Sequence, residues 1–99
     1  MSRNLKDYTF EWDLKKDAIN KKKHGISFST AQYVFADEGH IEWYDSKHND
    51  DEDRYKALGK VGKVILVVFT ERGENTRIIS ARLATKAERE KYEYANRYK

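Results

Sequence analysis

Apolar positions recur along this chain with two periods, and each change of period marks a change of element. Residues 9–13, TFEWD, set Phe10 and Trp12 against Thr9 and Glu11, the alternation of a short amphipathic strand. The following LKKDAINKKKHG shifts to helical spacing: Leu14, Ala18 and Ile19 make a narrow apolar stripe, Asp13 stands at the N-cap and Gly25 at the stop. A helix is expected over 14–24. Ser27 or Ser29 can cap a second, short helix through STAQYVFAD, with Ala31, Val34 and Phe35 turned inward and Asp37-Glu38-Gly39 ending it. HIEWYD alternates again as a strand, and the polar run DSKHNDDEDR reads as a loop.

Beyond the loop, RYKALGKV, KVILVVFTER and TRIISARLA are three strand-like runs joined at Val61-Gly62 and Gly73-Glu74-Asn75. Short glycine-containing links between β-branched runs mean antiparallel hairpins, so the three form a meander. Thr85 and Glu88 match the S/T-x-x-E capping box, and KAEREKYEYANRYK continues as a helix with Ala87, Tyr94, Ala95 and Tyr98 on one side. The expected fold is α+β, an antiparallel sheet packed with helices in the order β-α-α-β-β-β-β-α. The 99 residues suit a single domain, with room for one modest core.

Arg72, Arg77 and Arg82 stand five residues apart across the last two of these strands. Strict alternation puts Arg77 and Arg82 on opposite faces, so a bulge near Ser80 or Ala81 is needed if both are to meet one ligand. The preceding strand is apolar on both faces in its middle, the mark of a central strand, and polar groups gather at its end. Arginine suits a phosphate because its planar fork is always charged and donates in pairs. The simpler alternative for each arginine is an ion pair with Glu71, Glu74 or the acidic loop. Three in eleven residues beside a central strand tilt the reading toward a phosphate site.

Charge supports that reading. Residues 1–35 carry seven Lys/Arg against four Asp/Glu, residues 36–53 one against eight, and residues 54–99 twelve against five. A basic body with one acidic segment points to an anionic partner, of which polynucleotide is the commonest. With no cysteine there is no disulfide framework and no thiolate zinc site or nucleophile. The longest apolar run, Val64 to Phe69, is far too short to span a bilayer, and no signal-peptide pattern opens the chain, so a soluble cytoplasmic protein is expected.

FEWD at 10–13, KHG at 23–25 followed by ISF, VFAD at 34–37, DEDRYKALGKV at 51–61 and TERG with TRIISARLATKAERE between 70 and 90 resemble the BrnT family of toxins. The resemblance runs from about residue 9 to residue 93. It implies a small RelE-like domain, ribonuclease activity that halts translation, and a BrnA-like antitoxin that binds the toxin and represses the shared operon through its own DNA-binding domain. Operator DNA is then met only through the antitoxin. A complex of two toxins and two antitoxins is implied, with no cofactor and no membrane.

Cleaving RNA without a metal needs the adjacent 2′-hydroxyl to attack phosphorus, helped by a base, an acid for the leaving 5′-oxygen and positive charge for the transition state. Because they lie in the RIISAR segment that carries the resemblance, Arg77 and Arg82 are expected to stabilise that charge. His24 is the natural titrating candidate, with capping of its helix as the alternative. Glu71 is the second candidate base, or an orienter of arginine. Lys23, Arg54 and Arg72 are expected to hold RNA phosphates, and Trp12, with Trp43, Tyr44 and Tyr55, to stack on bases unless they serve the core. His40 and His48 match no metal-ligand spacing. The competing function is a module that binds nucleic acid or antitoxin without cleaving.

Overall fold

Asp13 caps the first helix: its carboxylate accepts the Lys16 N–H at 3.0 Å. This helix, α1 (Leu14–His24), closes where Gly25 takes a left-handed φ of 74°, a conformation glycine adopts without strain. It follows β1 (Thr9–Glu11) and leads into α2 (Phe28–Ala31), capped by Ser27 and continued by a 3-10 turn over Gln32–Ala36. Then come β2 (Ile41–Tyr44), β3 (Tyr55–Val61), β4 (Lys63–Arg72), β5 (Asn75–Leu83) and α3 (Lys86–Ala95). These positions come from a computed structural model, which describes residues 8–47 and 52–98.

The element order is the expected one, and β2 to β5 form the expected antiparallel meander. The sheet order is β1-β5-β4-β3-β2, and β1 runs parallel to β5, pairing Thr9 with Asn75 and Glu11 with Arg77. The sheet is therefore mixed, not wholly antiparallel. No hairpin links β1 to β5, so no turn imposes an antiparallel sense on that pair.

One face of the sheet meets α1, α2 and the 3-10 turn. Ile65, Val67, Phe69, Ile78 and Ala81 pack there against Ile26, Phe28, Ala31, Val34 and Phe35, all buried. Phe35 is the hub, with ring centroids 5.0–5.3 Å from Tyr8, Phe10 and Phe69. Asn20, buried on α1, replaces a missing strand along the outer edge of β5. Its side chain accepts the Ala81 N–H at 3.1 Å and donates to the Ala81 carbonyl at 2.8 Å and the Ile26 carbonyl at 2.9 Å. Gly59 lets the 3-10 turn lie against β3, since a Cβ there would stand 2.6 Å from Val34 Cγ1.

The opposite face is covered only in part. Leu58, Leu66 and Ala84 are buried beneath α3, with Tyr92, Ile41, Trp43 and Val64 packed around them. Thr85 and Glu88 close the capping box at the start of α3, as expected. Tyr92 then donates to Asp37 at 2.5 Å, tying α3 to the loop before β2. Among the described residues no helix is long and apolar enough to cross a membrane.

Candidate nucleic-acid interface

Register between β4 and β5 slips by one residue: Val68 stands opposite Ser80 and Phe69 opposite Ile78, so Ile79 is the extra residue of a bulge. Directly opposed residues share a face. Thr70 opposes Arg77, Val68 opposes Ser80 and Leu66 opposes Arg82, and Leu66 lies on the α3 side. The bulge thus turns Arg77, Ser80 and Arg82 to one face, as the proposal of a shared ligand requires. Arg72, opposite Asn75, joins them.

Where α3 stops covering this face, cross-strand rows of polar side chains begin. Glu11, Arg77 and Thr70 form one row, and Ser80, Val68 and Lys56 the next. The Arg54 carbonyl accepts the Asp45 N–H at 2.8 Å, so the ladder runs one residue past β3 and alternation puts Arg54 in the first row. Trp43, opposite Lys56, is the one candidate base-stacking residue on this side, and the Lys91 ammonium lies 3.6 Å over its ring. Trp12 packs edge-on against Phe28 on the helix side, while Tyr55 stacks on Phe69 there and meets Tyr44 edge-on. Those three serve the helix-side packing.

Each arginine already holds a carboxylate. Arg77 donates to Glu11 at 2.5 Å, and Asn75 donates to the other Glu11 oxygen at 2.8 Å. The Asn75 bond first and the Arg77 bond second hold the Glu11 carboxyl below the usual carboxylate range. Arg82 grips Glu88 fork on fork, at 2.8 and 3.0 Å, and chiefly through that contact the Glu88 carboxyl falls to about 2. Arg72 donates to Glu52 at 3.2 and 2.9 Å from a side chain 54% exposed, the simpler reading foreseen for it.

His24 and Lys23 stand on α1, which packs on the other face of the sheet from the arginines. With Ile79 and Ser80 they line a groove of about 220 Å³, and Ser80 belongs both to this groove and to the arginine face. Glu71 does not join the arginines. It opposes Thr76, one residue along from Thr70, so alternation turns it to the helix side and into an acidic hollow with Glu52 and Asp53. The carboxylates that orient the arginines are Glu11 and Glu88 instead. His40 is fixed by Glu42 on Nε2 at 2.7 Å and by the Asp37 carbonyl on Nδ1 at 2.8 Å, whereas His48 and Asp51 lie outside the described residues. Among the described residues no group of three or more His, Asp or Glu is placed to hold a metal ion.

The sequence model of the ribonuclease toxin BrnT of type II toxin–antitoxin systems matches residues 12–88. The chain belongs to the BrnT toxin family. Membership of a toxin–antitoxin family implies an antitoxin partner. The fold agrees: the crystal structure of the Brucella abortus ribonuclease toxin BrnT superposes with a TM-score of 0.62, covering 80% of this chain and 99% of that one at 23% identity. No curated protein matches the chain. On this BrnT-family chain the matched segment contains His24, Arg54, Lys56, Arg72, Arg77, Ser80, Arg82 and Glu88, and Glu11 lies one residue before it.

Sequence reasoning passed over Glu11, Lys56, Ser80 and Glu88 as site residues. Glu88 was visible as a capping residue, and only its place beside β5 adds the grip on Arg82. Glu11 and Arg77 are 66 residues apart, and a parallel edge pairing announces itself by no local motif.

Proposed function

We propose that this BrnT-family chain, working as a single toxin domain in the cytoplasm, is a metal-independent RNA endonuclease. Its cleavage of RNA inhibits translation, and a BrnA-like DNA-binding antitoxin neutralises it in a complex of two toxins and two antitoxins. The observation that carries the reading is the bulge at Ile79, with Arg77, Ser80 and Arg82 on one face beside Lys56 and Arg54.

In the reaction an RNA 2′-oxygen attacks the adjacent phosphorus and the bond from phosphorus to the 5′-oxygen breaks, leaving a 2′,3′-cyclic phosphate and a free 5′-hydroxyl. Negative charge gathers on the non-bridging oxygens, where guanidinium groups act most strongly. Arg77 takes that position, oriented by Glu11, and Arg82 supports it from two rows along, opposite Leu66. His24, entering beside Ser80, moves the proton of the 2′-hydroxyl or of the leaving oxygen. Lys23, Lys56, Arg54 and Arg72 hold flanking phosphates, which makes affinity fall as salt rises.

A second reading has its own support. Both central arginines are held by carboxylates, and a guanidinium so neutralised suits binding better than charge stabilisation. Degradation of labelled RNA by the purified protein in excess EDTA separates the two, with Arg77→Ala and Arg82→Ala beside it. Cleavage by the parent, lost in Arg77→Ala, is the expected result. Salt-dependent binding without cleavage overturns the nuclease and leaves the binding module.

A further inference from the structure

A second cationic feature lies on the far side of α3. Lys60 and Lys63, at the β3–β4 hairpin, and Arg89 on α3 rim a cleft of about 440 Å³ whose floor is Val64, Leu83 and Ala84. It is separated from the Arg77 end of the arginine face, since Val64 and Thr70 are six residues apart on β4, about 20 Å at the rise of a strand, while Arg82 borders it and donates to the Leu83 carbonyl at 3.2 Å. From the chemistry of this cleft we infer that it is a docking site for the antitoxin, taking an acidic segment that inserts one large apolar side chain and presents carboxylates to the rim. The inference rests on the toxin–antitoxin reading and goes beyond it by assigning a surface and the chemistry of the segment that fills it.

Charge is the first argument. The arginines of the RNA face are matched to Glu11, Glu52 and Glu88 of the chain itself. Lys60 and Lys63 are exposed and have no carboxylate within ion-pair distance among the described residues, and Arg89 donates only to the Ala84 carbonyl at 3.1 Å. One carboxylate, Glu93, stands in the lining against these three cations. The surplus is complementary to an acidic partner, and such complementarity sets the rate and the register of association.

The floor is the second argument, and it separates a protein from RNA. RNA bases stack on aromatic rings, and this floor is wholly aliphatic. Leu83 is 48% exposed at the end of β5, an apolar surface that the fold itself leaves uncovered. A leucine-sized or aromatic side chain entering the cleft would cover it, with its neighbours within reach of the lysines. The volume falls in the range of sites that enclose a small ligand.

The test uses the full chain and, as probe, the purified antitoxin encoded beside its gene. Affinity, RNA cleavage and thermal melting are compared for the parent, the double variant Lys60→Glu/Lys63→Glu and Leu83→Asp. Antitoxin affinity is expected to fall by about tenfold or more in both variants, with a slower association and a weaker salt dependence for the double variant. Cleavage and melting should stay at the parent level in the double variant. Unchanged affinity in both variants overturns the inference. Cleavage or RNA binding that falls while antitoxin affinity holds makes the cleft a phosphate subsite and overturns it too, as does loss of self-association alone, which would seat a second copy there. A parent that binds antitoxin but cleaves no RNA overturns the nuclease reading and leaves this one to the affinity data.

Discussion

Replacing Glu88 by Gln separates two roles of one carboxylate. Oε1 accepts the Thr85 N–H at 2.8 Å and one Arg82 nitrogen at 2.8 Å, while Oε2 accepts the other at 3.0 Å. Glutamine serves equally well in a capping box, so the first role survives and the charged grip on Arg82 is lost. The Glu88 carboxyl drops from 4.5 to about 2, which at about 1.4 kcal/mol per unit sets an upper bound of about 3–4 kcal/mol. Because the Arg82 side chain is 36% exposed, solvent screens the pair and about 1–2 kcal/mol is the expected loss near neutral pH. In a domain of this size each kcal/mol lowers the melting temperature by roughly 4–8 °C.

The pH dependence gives the reasoning its sharper edge. A carboxyl whose folded value is depressed stabilises the fold above its unfolded value and loses that contribution as pH falls through the folded one. The gap between parent and Glu88→Gln should therefore be full near neutrality, shrink below 4.5 and close toward about 2. Urea melts followed by circular dichroism across that range read it directly. A gap that is absent at neutral pH, or that stays constant with acidification, refutes the argument. The same protein also tests Arg82: if the guanidinium serves phosphate, Glu88→Gln keeps or gains RNA affinity while Arg82→Ala loses it, although both are destabilised.

Asn20→Ala strips partners from the Ala81 N–H and two carbonyls in a buried setting, and should lower stability by about 2–4 kcal/mol in chemical denaturation; a loss below about 1 kcal/mol would refute its role as a strand substitute. Gly59→Ala drives a Cβ to 2.7 Å from the Val34 carbonyl oxygen, with an expected cost of about 1–3 kcal/mol in the same assay; unchanged stability would mean the 3-10 turn yields freely. His40 has its value raised, first by the hydrogen bond its Nε2 donates to the Glu42 carboxylate, so its contribution is full below 6.5 and fades as pH rises through the elevated folded value. His40→Gln should accordingly cost more melting temperature in mild acid than in mild alkali, and the reverse order would contradict the ion pair.

Local signals were legible because local physics made them. Asp13, Gly25, Thr85 and Glu88 mark helix ends by hydrogen bonds that span a few residues, and the glycines at 62 and 73 take the positive φ that the two hairpin links require. The meander followed from those links. What stayed hidden depends on pairs distant in sequence. The parallel seat of β1, the ion pair of Glu11 with Arg77 and the cover that Asn20 gives Ala81 join residues more than sixty positions apart, and the residues on either side are unremarkable polar positions until the sheet closes. Glu71 shows the same limit in reverse, since nearness to arginines in sequence put it one position along a strand and so on the other face.

The bulge at Ile79 is the place where local and distant reasoning meet. Alternation alone sets Arg77 and Arg82 apart, and a single inserted residue reverses that for every position beyond it. A bulge built on glycine would have shown itself in the sequence, because that kind needs a residue at positive φ. Among the described residues positive φ occurs only at Gly25, Gly62 and Gly73, none of them in β5. Ile79 is an ordinary β-branched residue, fitting a regular strand as well as a bulge, so its own side chain decides nothing. The packing on either side decides it. Ile78 and Ala81 are both buried on the helix side, three positions apart, and an unbroken strand can bury only one of the two there. With Phe69 holding the first and Val67 the second, the core fixes the slip in register, and the arginine face on the other side of the sheet follows from it.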